Sequence, residues 1–287
     1  MKTPKSLRPL QEEGVIDEVL VQLKSGKEAT VYLVRCGDGI RAAKLYKDAA
    51  QRSFRQASSY MEGRKTRNTR DARAMARGSR FGKRKQEDSW HNAEVDALYK
   101  LDAAGVRVPK PYGCFDNVLL MDLVTDDEGQ PAPRLCDLVY SEEEALELHQ
   151  ELICEVVRML CAGVIHGDLS EYNILMDPYG PVIIDLPQAI DASSNPHAEQ
   201  MLLRDVDNMT LFFAQFAPQL SQALFGRDIW QRYESGELTP DSIVTGDVEE
   251  DNHEADLVSV LREIETARLE EEARLARLQE QDDDSER

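Results

Sequence analysis

Three side chains in one short region have the types and spacing needed for phosphoryl transfer. Asp168 and Asn173 lie five residues apart in a loop, and Asp185 follows at the end of the next apolar run. A carboxylate can orient or deprotonate a hydroxyl group, while an amide and a second carboxylate can hold Mg²⁺ against phosphates. Mg²⁺ commonly takes only one or two protein carboxylates together with phosphate. The alternative is a polar loop that merely joins a helix to a hairpin.

The same loop has the spacing of a kinase catalytic loop. His166, Asp168 and Asn173 follow the pattern H-x-D-x-x-x-x-N. Upstream, Lys44 ends an apolar strand, where a lysine must hide its stem in a sheet face and needs an anionic partner. In kinases that partner is the nucleotide phosphates together with a glutamate from a helix. The sequence therefore predicts a nucleotide site that combines this lysine with the loop.

Glu94 is the predicted glutamate partner of Lys44. The segment Ser89–Leu101 has apolar residues at helical spacing, and Glu94 lies beside that stripe. Glu87 precedes the expected start of the helix and Asp96 falls on another face, so both are weaker candidates. A solvated helix residue is the alternative interpretation of Glu94.

A tight turn between the first two predicted strands is the candidate phosphate cradle. It contains Ser25, Gly26 and Lys27, and backbone N–H groups in such a turn can bind an anion. With a single glycine, the turn matches neither the G-x-G-x-x-G loop of protein kinases nor a Walker P-loop, and an ordinary hairpin is the alternative. Further along, an apolar strand that includes Met121 and Leu123 predicts an inter-lobe hinge against the adenine ring.

The predicted elements divide the chain into two lobes. An N-lobe of antiparallel strands with one helix is predicted over residues 15–124, and a mainly helical C-lobe is predicted over residues 125–238. Residues 1–14 are expected to be a flexible arm, residues 51–88 a flexible basic insert, and residues 239–287 an acidic, partly helical tail. The predicted fold class is α+β, with a two-lobed, protein-kinase-like architecture.

Charge is distributed unevenly along the 287 residues, whose net charge is −20. Residues 52–85 contain 12 Lys and Arg against 2 Asp and Glu, whereas the residues from 247 onward contain 5 basic and 16 acidic side chains. A basic segment on an acidic body is expected to attract polyanions. RNA or a ribosomal particle is the predicted partner of the insert, and simple solubility or contact with the acidic tail is the alternative.

The cysteines and the hydropathy favour a cytoplasmic protein. The five cysteines are odd in number and form no C-x-x-C motif, so reduced thiols are expected, and not a disulfide framework or a zinc site. The N-terminal residues lack the apolar region of a signal peptide. No apolar run approaches the length of a membrane span, so no membrane partner is expected.

Six segments resemble the RIO kinases, a family of atypical protein kinases found with ribosome assembly. The segments are Ser25–Ala29, Ala42–Tyr46, Gly105–Pro109, His166–Leu175, Ile184–Gln188 and Leu203–Asn208. They spread over residues 17–215, and the string Asp-Leu-Ser-Glu-Tyr-Asn is highly specific. The Gly-Lys-Glu-Ala string at 26–29 resembles the first RIO subfamily more than the second.

The resemblance implies an ATP-dependent protein serine/threonine kinase with ATPase activity, using Mg²⁺ or alternatively Mn²⁺, that acts on a protein substrate or on itself. It implies that Lys44 binds phosphates and pairs with Glu94, and that Asp168 is the catalytic acid or base. Asn173 and Asp185 would bind the metal ion. In this family the position of Asp185 is also implicated in accepting phosphate as an aspartyl-phosphate, and no extended activation segment follows it.

Two other classes of function compete with this interpretation. A nucleotide-binding scaffold would need none of the catalytic side chains, yet Lys44, Asp168, Asn173 and Asp185 are all present. A small-molecule kinase shares the loop spacing but not the Asp-Leu-Ser-Glu-Tyr-Asn string. Within the leading interpretation, serine phosphorylation and an ATPase switch on a ribosomal particle remain alternatives.

Overall fold

Strands rich in valine, with further β-branched and aromatic residues, form an antiparallel sheet in the first half of the chain. The computed structural model describes residues 3–26, 28–47 and 93–247. Its first five strands are β1 Glu18–Ser25, β2 Ala29–Cys36, β3 Gly39–Tyr46, β4 Pro111–Phe115 and β5 Val118–Asp122. They form one antiparallel sheet in the order β1-β2-β3-β5-β4. Lys44 lies on β3, in the middle of this N-lobe sheet.

The two faces of the sheet have different neighbours, because successive side chains of a strand point to opposite sides. Tyr32, Val34 and Ala43 belong to an apolar cluster behind the sheet. Lys44 and Tyr46 instead point to the other face, where they line a cleft. The strand β3 therefore separates a dry packing surface from the candidate site.

The prediction of a flexible arm over residues 1–14 is wrong for its described part. Lys5–Leu7 form a 3₁₀-helix and Arg8–Glu12 form the helix α1. The side chains of Leu7 and Leu10 are 0% and 5% exposed and pack in the cluster behind the sheet. The two leucines alone give no periodic pattern in the sequence, but burial of their apolar surface stabilises the segment.

The helix α2 covers residues 93–103 of the described chain. Ala97, Leu98 and Leu101 are buried in the large apolar cluster that continues into the C-lobe. Gly105 ends the segment with a φ of 75°, a left-handed conformation that glycine adopts without a steric penalty. The buried apolar stripe fixes which face of α2 turns toward the sheet, and Glu94 lies at the edge of that face.

Three long amphipathic helices form the core of the C-lobe. Their bounds are α3 Glu142–Cys161, α4 Ala198–Phe213 and α5 Phe225–Glu234. A capping box starts α3, because the hydroxyl of Ser141 accepts the Glu144 N–H while the Glu144 carboxylate accepts the Ser141 N–H. Val157 of α3, Val206 of α4 and Ile229 of α5 are fully buried in one cluster.

Two small antiparallel pairs carry the loops of the candidate site. Val164–Ile165 (β6) pairs with Ile190–Asp191 (β9), and Ile174–Asp177 (β7) pairs with Gly180–Ile183 (β8). Short 3₁₀-helices cover Leu135–Asp137, Glu171–Asn173 and Pro218–Gln222. Only residues 192–197 separate β9 from α4, so the described chain has no extended activation segment. The predicted α+β, two-lobed, kinase-like fold class is confirmed.

The first residues of the predicted acidic tail are packed against the C-lobe. Val244 is fully buried, and the Gly246 N–H donates to Asp228 Oδ2 at 3.2 Å. The rest of the tail and the basic insert lie outside the described residues, and the lobe boundaries remain predictions. Among the residues that the structure describes, no helix is long and apolar enough to cross a bilayer.

Candidate active site

A cleft of about 450 Å³ lies between the N-lobe sheet and the loops of the C-lobe. Most of the predicted site residues line it: Gly26, Lys44, Glu94, Met121, Leu123, Asp168, Asn173 and Asp185. Ser25 is the neighbour of Gly26 in the turn above the cleft, and Lys27 lies outside the described residues. The fold thus brings residues from both lobes to one cavity, although they are spread over 160 positions of the sequence.

The Lys44 ammonium group joins the two lobes inside this cleft. Its Nζ lies 2.5 Å from Glu94 Oε1 on α2 and 2.6 Å from Asp185 Oδ1, just after β8. Burial alone would lower the pKa of Lys44, but the carboxylates of Glu94 and Asp185 outweigh it and raise the pKa above its ordinary value. Lys44 therefore stays protonated and carries a permanent positive charge. The competitor Asp96 is exposed on another face of α2.

The Glu94 carboxylate has a second hydrogen-bond donor that the sequence analysis missed. Tyr46 OH donates to Glu94 Oε2 at 2.7 Å, and both side chains are buried. Tyr46 follows Lys44 by two positions on β3, so both side chains point to the same face of the sheet. This alternation was visible in the sequence, but the partner of the phenol was not.

Asp185 combines an unusual backbone conformation with a lowered pKa. Its φ is 68°, a region that few residues other than glycine adopt, and such conformations concentrate at functional sites. Burial would raise the pKa of Asp185, but the neighbouring Lys44 charge and hydrogen bond outweigh burial and lower it. The side chain is 49% exposed, so the ionised carboxylate remains accessible from the cleft.

Asp205 on α4 holds the loop that contains Asp168. Its carboxylate accepts the backbone N–H groups of Gly167 at 2.7 Å and of Leu169 at 3.1 Å. Arg204 donates to the Gly167 carbonyl from the same helix. Burial raises the pKa of Asp205 to about 6, against the lowering effect of these donors. The segment Leu203–Asn208 carries part of the family resemblance, but nothing in the sequence identifies Asp205 as the residue that holds the loop.

A chain of hydrogen bonds links the Asp168 loop to the strand before Asp185. The Asn173 amide nitrogen donates to the Asp168 carbonyl at 2.9 Å, and the Ile184 N–H donates to the Asn173 carbonyl at 2.9 Å. The His166 ring nitrogen Nε2 lies 3.1 Å from the Ile184 carbonyl oxygen. Partial burial raises the pKa of Asp168, and a higher pKa makes a carboxylate a better proton acceptor.

Asn173 and Asp185 offer oxygen donors that suit a hard divalent cation. Since the Asn173 amide nitrogen is used by the Asp168 carbonyl, its amide oxygen is the atom left for a cation. Within the described ranges, no group of three His, Cys, Asp or Glu side chains forms a metal site. One amide and one carboxylate nevertheless fit Mg²⁺, which completes its coordination with phosphate and water.

The glycine turn differs from a backbone cradle. The Gly26 N–H donates to the Ala29 carbonyl at 2.9 Å and so closes the hairpin. Lys47, which the sequence analysis did not select, donates from Nζ to Ser25 Oγ at 3.1 Å and to the Gly26 carbonyl at 2.6 Å. The turn is thus held by a lysine side chain and uses the Gly26 N–H internally.

The predicted hinge residues lie on the sheet side of the cleft. Met121 pairs with Ala42 across β5 and β3, and Leu123 follows directly after β5. Both side chains line the cavity. Their contact with an adenine ring remains a prediction.

A family model and several similar proteins identify the same family. The model of the RIO domain matches residues 30–224. The RIO-type serine/threonine-protein kinase Rio1 of Haloferax volcanii is 36% identical over 208 residues, which cover 71% of this chain and 66% of that protein. The Rio1 of Methanocaldococcus jannaschii is 34% identical, with 69% and 63% covered. The human serine/threonine-protein kinase RIO1 is 33% identical, with 70% and 34% covered. The chain thus spans just under two thirds of these archaeal relatives and about a third of the human one.

A solved structure shares the fold. The crystal structure of the Rio2 kinase–ADP/Mg²⁺–phosphoaspartate complex from Chaetomium thermophilum superposes with a TM-score of 0.52 at 21% sequence identity. The match covers 91% of this chain and 75% of that one.

Proposed function

Because the chain belongs to the RIO domain family, we propose that it is an Mg²⁺-ATP-dependent serine/threonine protein kinase that also hydrolyses ATP. Its relatives at 33–36% identity are named as serine/threonine-protein kinases of this type. One observation carries the proposal: Lys44 contacts Glu94 and Asp185 in the same cleft that Asp168 and Asn173 line.

The roles follow from the charge and position of each side chain. Lys44 neutralises the nucleotide phosphates, and Glu94 holds its ammonium group in place. Asn173 and Asp185 hold the metal ion, which supplies further positive charge for the phosphates when it is bound. Asp168 orients the attacking hydroxyl group and accepts its proton, a role that its raised pKa suits.

We also propose that Asp185 accepts the phosphoryl group during ATP hydrolysis. The lowered pKa keeps Asp185 ionised, and a carboxylate acts as a nucleophile when nearby cations offset charge repulsion. A bond forms between an Asp185 oxygen and the γ-phosphorus while the bond to the bridging oxygen of ADP breaks. Water then releases inorganic phosphate and restores the carboxylate. In support, the Rio2 complex is described as a phosphoaspartate. In addition, residues 192–197 between β9 and α4 are too few to form an extended segment that docks a peptide.

The decisive experiment traps the labelled protein. Purified protein is incubated with γ-labelled ATP and Mg²⁺, quenched in acid and treated with hydroxylamine, which cleaves acyl phosphates. The proposal expects hydroxylamine-labile label that is absent in Asp185→Ala and unchanged in Asp207→Ala, which removes an exposed carboxylate of α4. Label that survives hydroxylamine and maps to serine or threonine would leave a self-phosphorylating kinase without the aspartyl-phosphate step.

The partners of the enzyme form a separate part of the proposal. The basic insert is proposed to contact RNA or a ribosomal particle, supported by the 12 Lys and Arg residues between 52 and 85. A cytoplasmic location is proposed as well, supported by the five cysteines, all of which are free thiols.

A further inference from the structure

The two oxygens of the Glu94 carboxylate serve two different partners. Oε1 lies 2.5 Å from Lys44 Nζ, and Oε2 accepts the Tyr46 hydroxyl at 2.7 Å. Glu94 is 4% exposed and Tyr46 is 5% exposed, so water screens neither contact well. A buried carboxylate is costly unless several donors satisfy it. Tyr46 therefore helps to stabilise the buried Glu94 carboxylate, which Lys44 would otherwise stabilise alone.

Tyr46 is anchored independently of Lys44 at the end of β3. Its backbone N–H donates to the Asn117 carbonyl at 2.9 Å, and the Asn117 side-chain amide donates to the Tyr46 carbonyl at 3.2 Å. The phenol thus reaches from a fixed point of the sheet to α2. It joins the same two elements as Lys44 does, but through a neutral group.

The neutral group matters because Lys44 has several possible anionic partners. In the structure its Nζ is shared between Glu94 and Asp185, and the proposed reaction adds nucleotide phosphates. The pKa of Tyr46 is raised, first by burial and then by the Glu94 charge, so the phenol stays protonated and keeps donating. Glu94 can then keep its position and its contact with Lys44 while the ammonium group turns from Asp185 toward a phosphate.

We propose that Tyr46 is a positioning residue that keeps Glu94 aligned while Lys44 engages the nucleotide phosphates. This inference rests on the proposed ATP-dependent function. Because Tyr46 acts through Glu94 and Lys44, its hydroxyl influences recognition of the phosphates and leaves recognition of the adenosine part unaffected.

The test compares Tyr46→Phe with Tyr32→Phe. Tyr32 is also buried, on the neighbouring strand β2, but belongs to the cluster behind the sheet. For Tyr46→Phe we expect affinity for Mg²⁺-ATP and kcat to fall roughly tenfold, the scale of one lost hydrogen bond to a charged group, with unchanged affinity for adenosine. Tyr32→Phe should change none of these. Binding is measured by equilibrium dialysis and turnover by phosphate release.

A double-mutant cycle separates positioning from general destabilisation. In a Glu94→Gln background, Tyr46→Phe should change ATP binding by less than about twofold, because the two side chains act as one unit. Replacing Tyr46 by 4-aminophenylalanine, which retains a donor, should recover most of the lost affinity. If Tyr46→Phe folds poorly, comparison of the wild type with this replacement still tests the hydroxyl.

Several results would overturn the inference. Equal weakening of adenosine and ATP binding by Tyr46→Phe would assign the phenol a purely structural role, and so would full additivity with Glu94→Gln. Normal ATP turnover in Tyr46→Phe would refute the inference and leave the proposed function intact. A wild-type protein that does not bind ATP would refute the proposed function and this inference with it.

Discussion

Asp205 Oδ2 lies 2.7 Å from the backbone nitrogen of Gly167, so a buried carboxylate of α4 fixes the residue directly before Asp168. Its other oxygen accepts the Leu169 N–H, so both neighbours of Asp168 in the sequence are held. The orientation of Asp168 in the cleft is therefore set from the helix behind it.

Asp205→Asn should reduce kcat by roughly ten- to a hundredfold while ATP binding changes little. An asparagine retains only one acceptor oxygen and turns an amide N–H₂ toward a backbone N–H, which costs on the order of 1.5–3 kcal/mol at a charged, buried site. Asp207→Asn, an exposed change on the same helix, is the control and should retain wild-type kcat. A kcat within twofold of wild type for Asp205→Asn would contradict the positioning role.

Asp168→Asn should retain nucleotide binding and lose turnover. The side chain keeps its size and polarity, so the loop contacts of its backbone persist, but the proton acceptor is gone. Loss of a general base typically lowers the rate by about 10² to 10⁴. Phosphate release and substrate labelling measure the loss, and an ATP titration monitors binding. Near wild-type rates would reject Asp168 as the base.

Elements with a strong local signal could be predicted from the sequence. The helix α3 has a capping box and a long apolar stripe, and the strand β3 puts Lys44 and Tyr46, two positions apart, on the same face of the sheet. Lys44, Glu94 and Asp185 could also be selected, because their residue types and spacing are typical of one chemistry. Their meeting point in the cleft depends on packing of the two lobes.

The contacts that the sequence did not reveal are those between distant residues of ordinary type. Tyr46 and Glu94 are 48 positions apart, and Asp205 and Gly167 are 38 apart. Neither tyrosine on a strand nor aspartate on a helix has a spacing that identifies its partner. The helices over residues 5–12 escape prediction for a related reason, because tertiary packing of Leu7 and Leu10 orders them and their sequence has no periodic pattern.

His149 should make stability depend on pH. It is 1% exposed, its ring lies 3.0 Å from Thr210 Oγ1, and burial lowers its pKa to about 4. Between pH 7.5 and 5.5 the unfolded chain takes up a proton at this residue and the folded chain does not. The free energy of unfolding contributed by His149 therefore falls by about 1 kcal/mol over this range.

The effect is isolated by comparing the wild type with His149→Gln in urea unfolding at both pH values. Asp205 acts in the opposite direction, because its pKa is raised to about 6 in the folded protein and it takes up a proton on folding in the same range. Asp205 is present in both proteins, so its contribution cancels in the difference. If the difference in unfolding free energy between the wild type and His149→Gln is the same at pH 7.5 and at pH 5.5, His149 is not buried and neutral.

The basic insert should give RNA binding that weakens steeply with salt. Each phosphate contact on single-stranded RNA contributes about −0.7 to the slope of log K against log salt. Substitution by glutamine should flatten the slope and spare basal ATPase activity at four positions: Arg64, Lys65, Arg67 and Arg70. The control neutralises Lys5 and Arg8, two exposed cations near the N-terminus. Salt-independent binding, or none, would favour contact between insert and tail.

The shared position of Lys44 between Glu94 and Asp185 has a thermodynamic consequence. A cation that binds Asp185 competes with the ammonium group for the same carboxylate, and its entry releases Lys44 toward an incoming phosphate. A nucleotide that draws Lys44 away in turn uncovers Asp185 for the cation. Each ligand thus removes the competitor of the other, so their affinities are coupled by one free energy that acts equally in both directions. We therefore expect metal ion and nucleotide to bind cooperatively, because both act on the contact between Lys44 and Asp185.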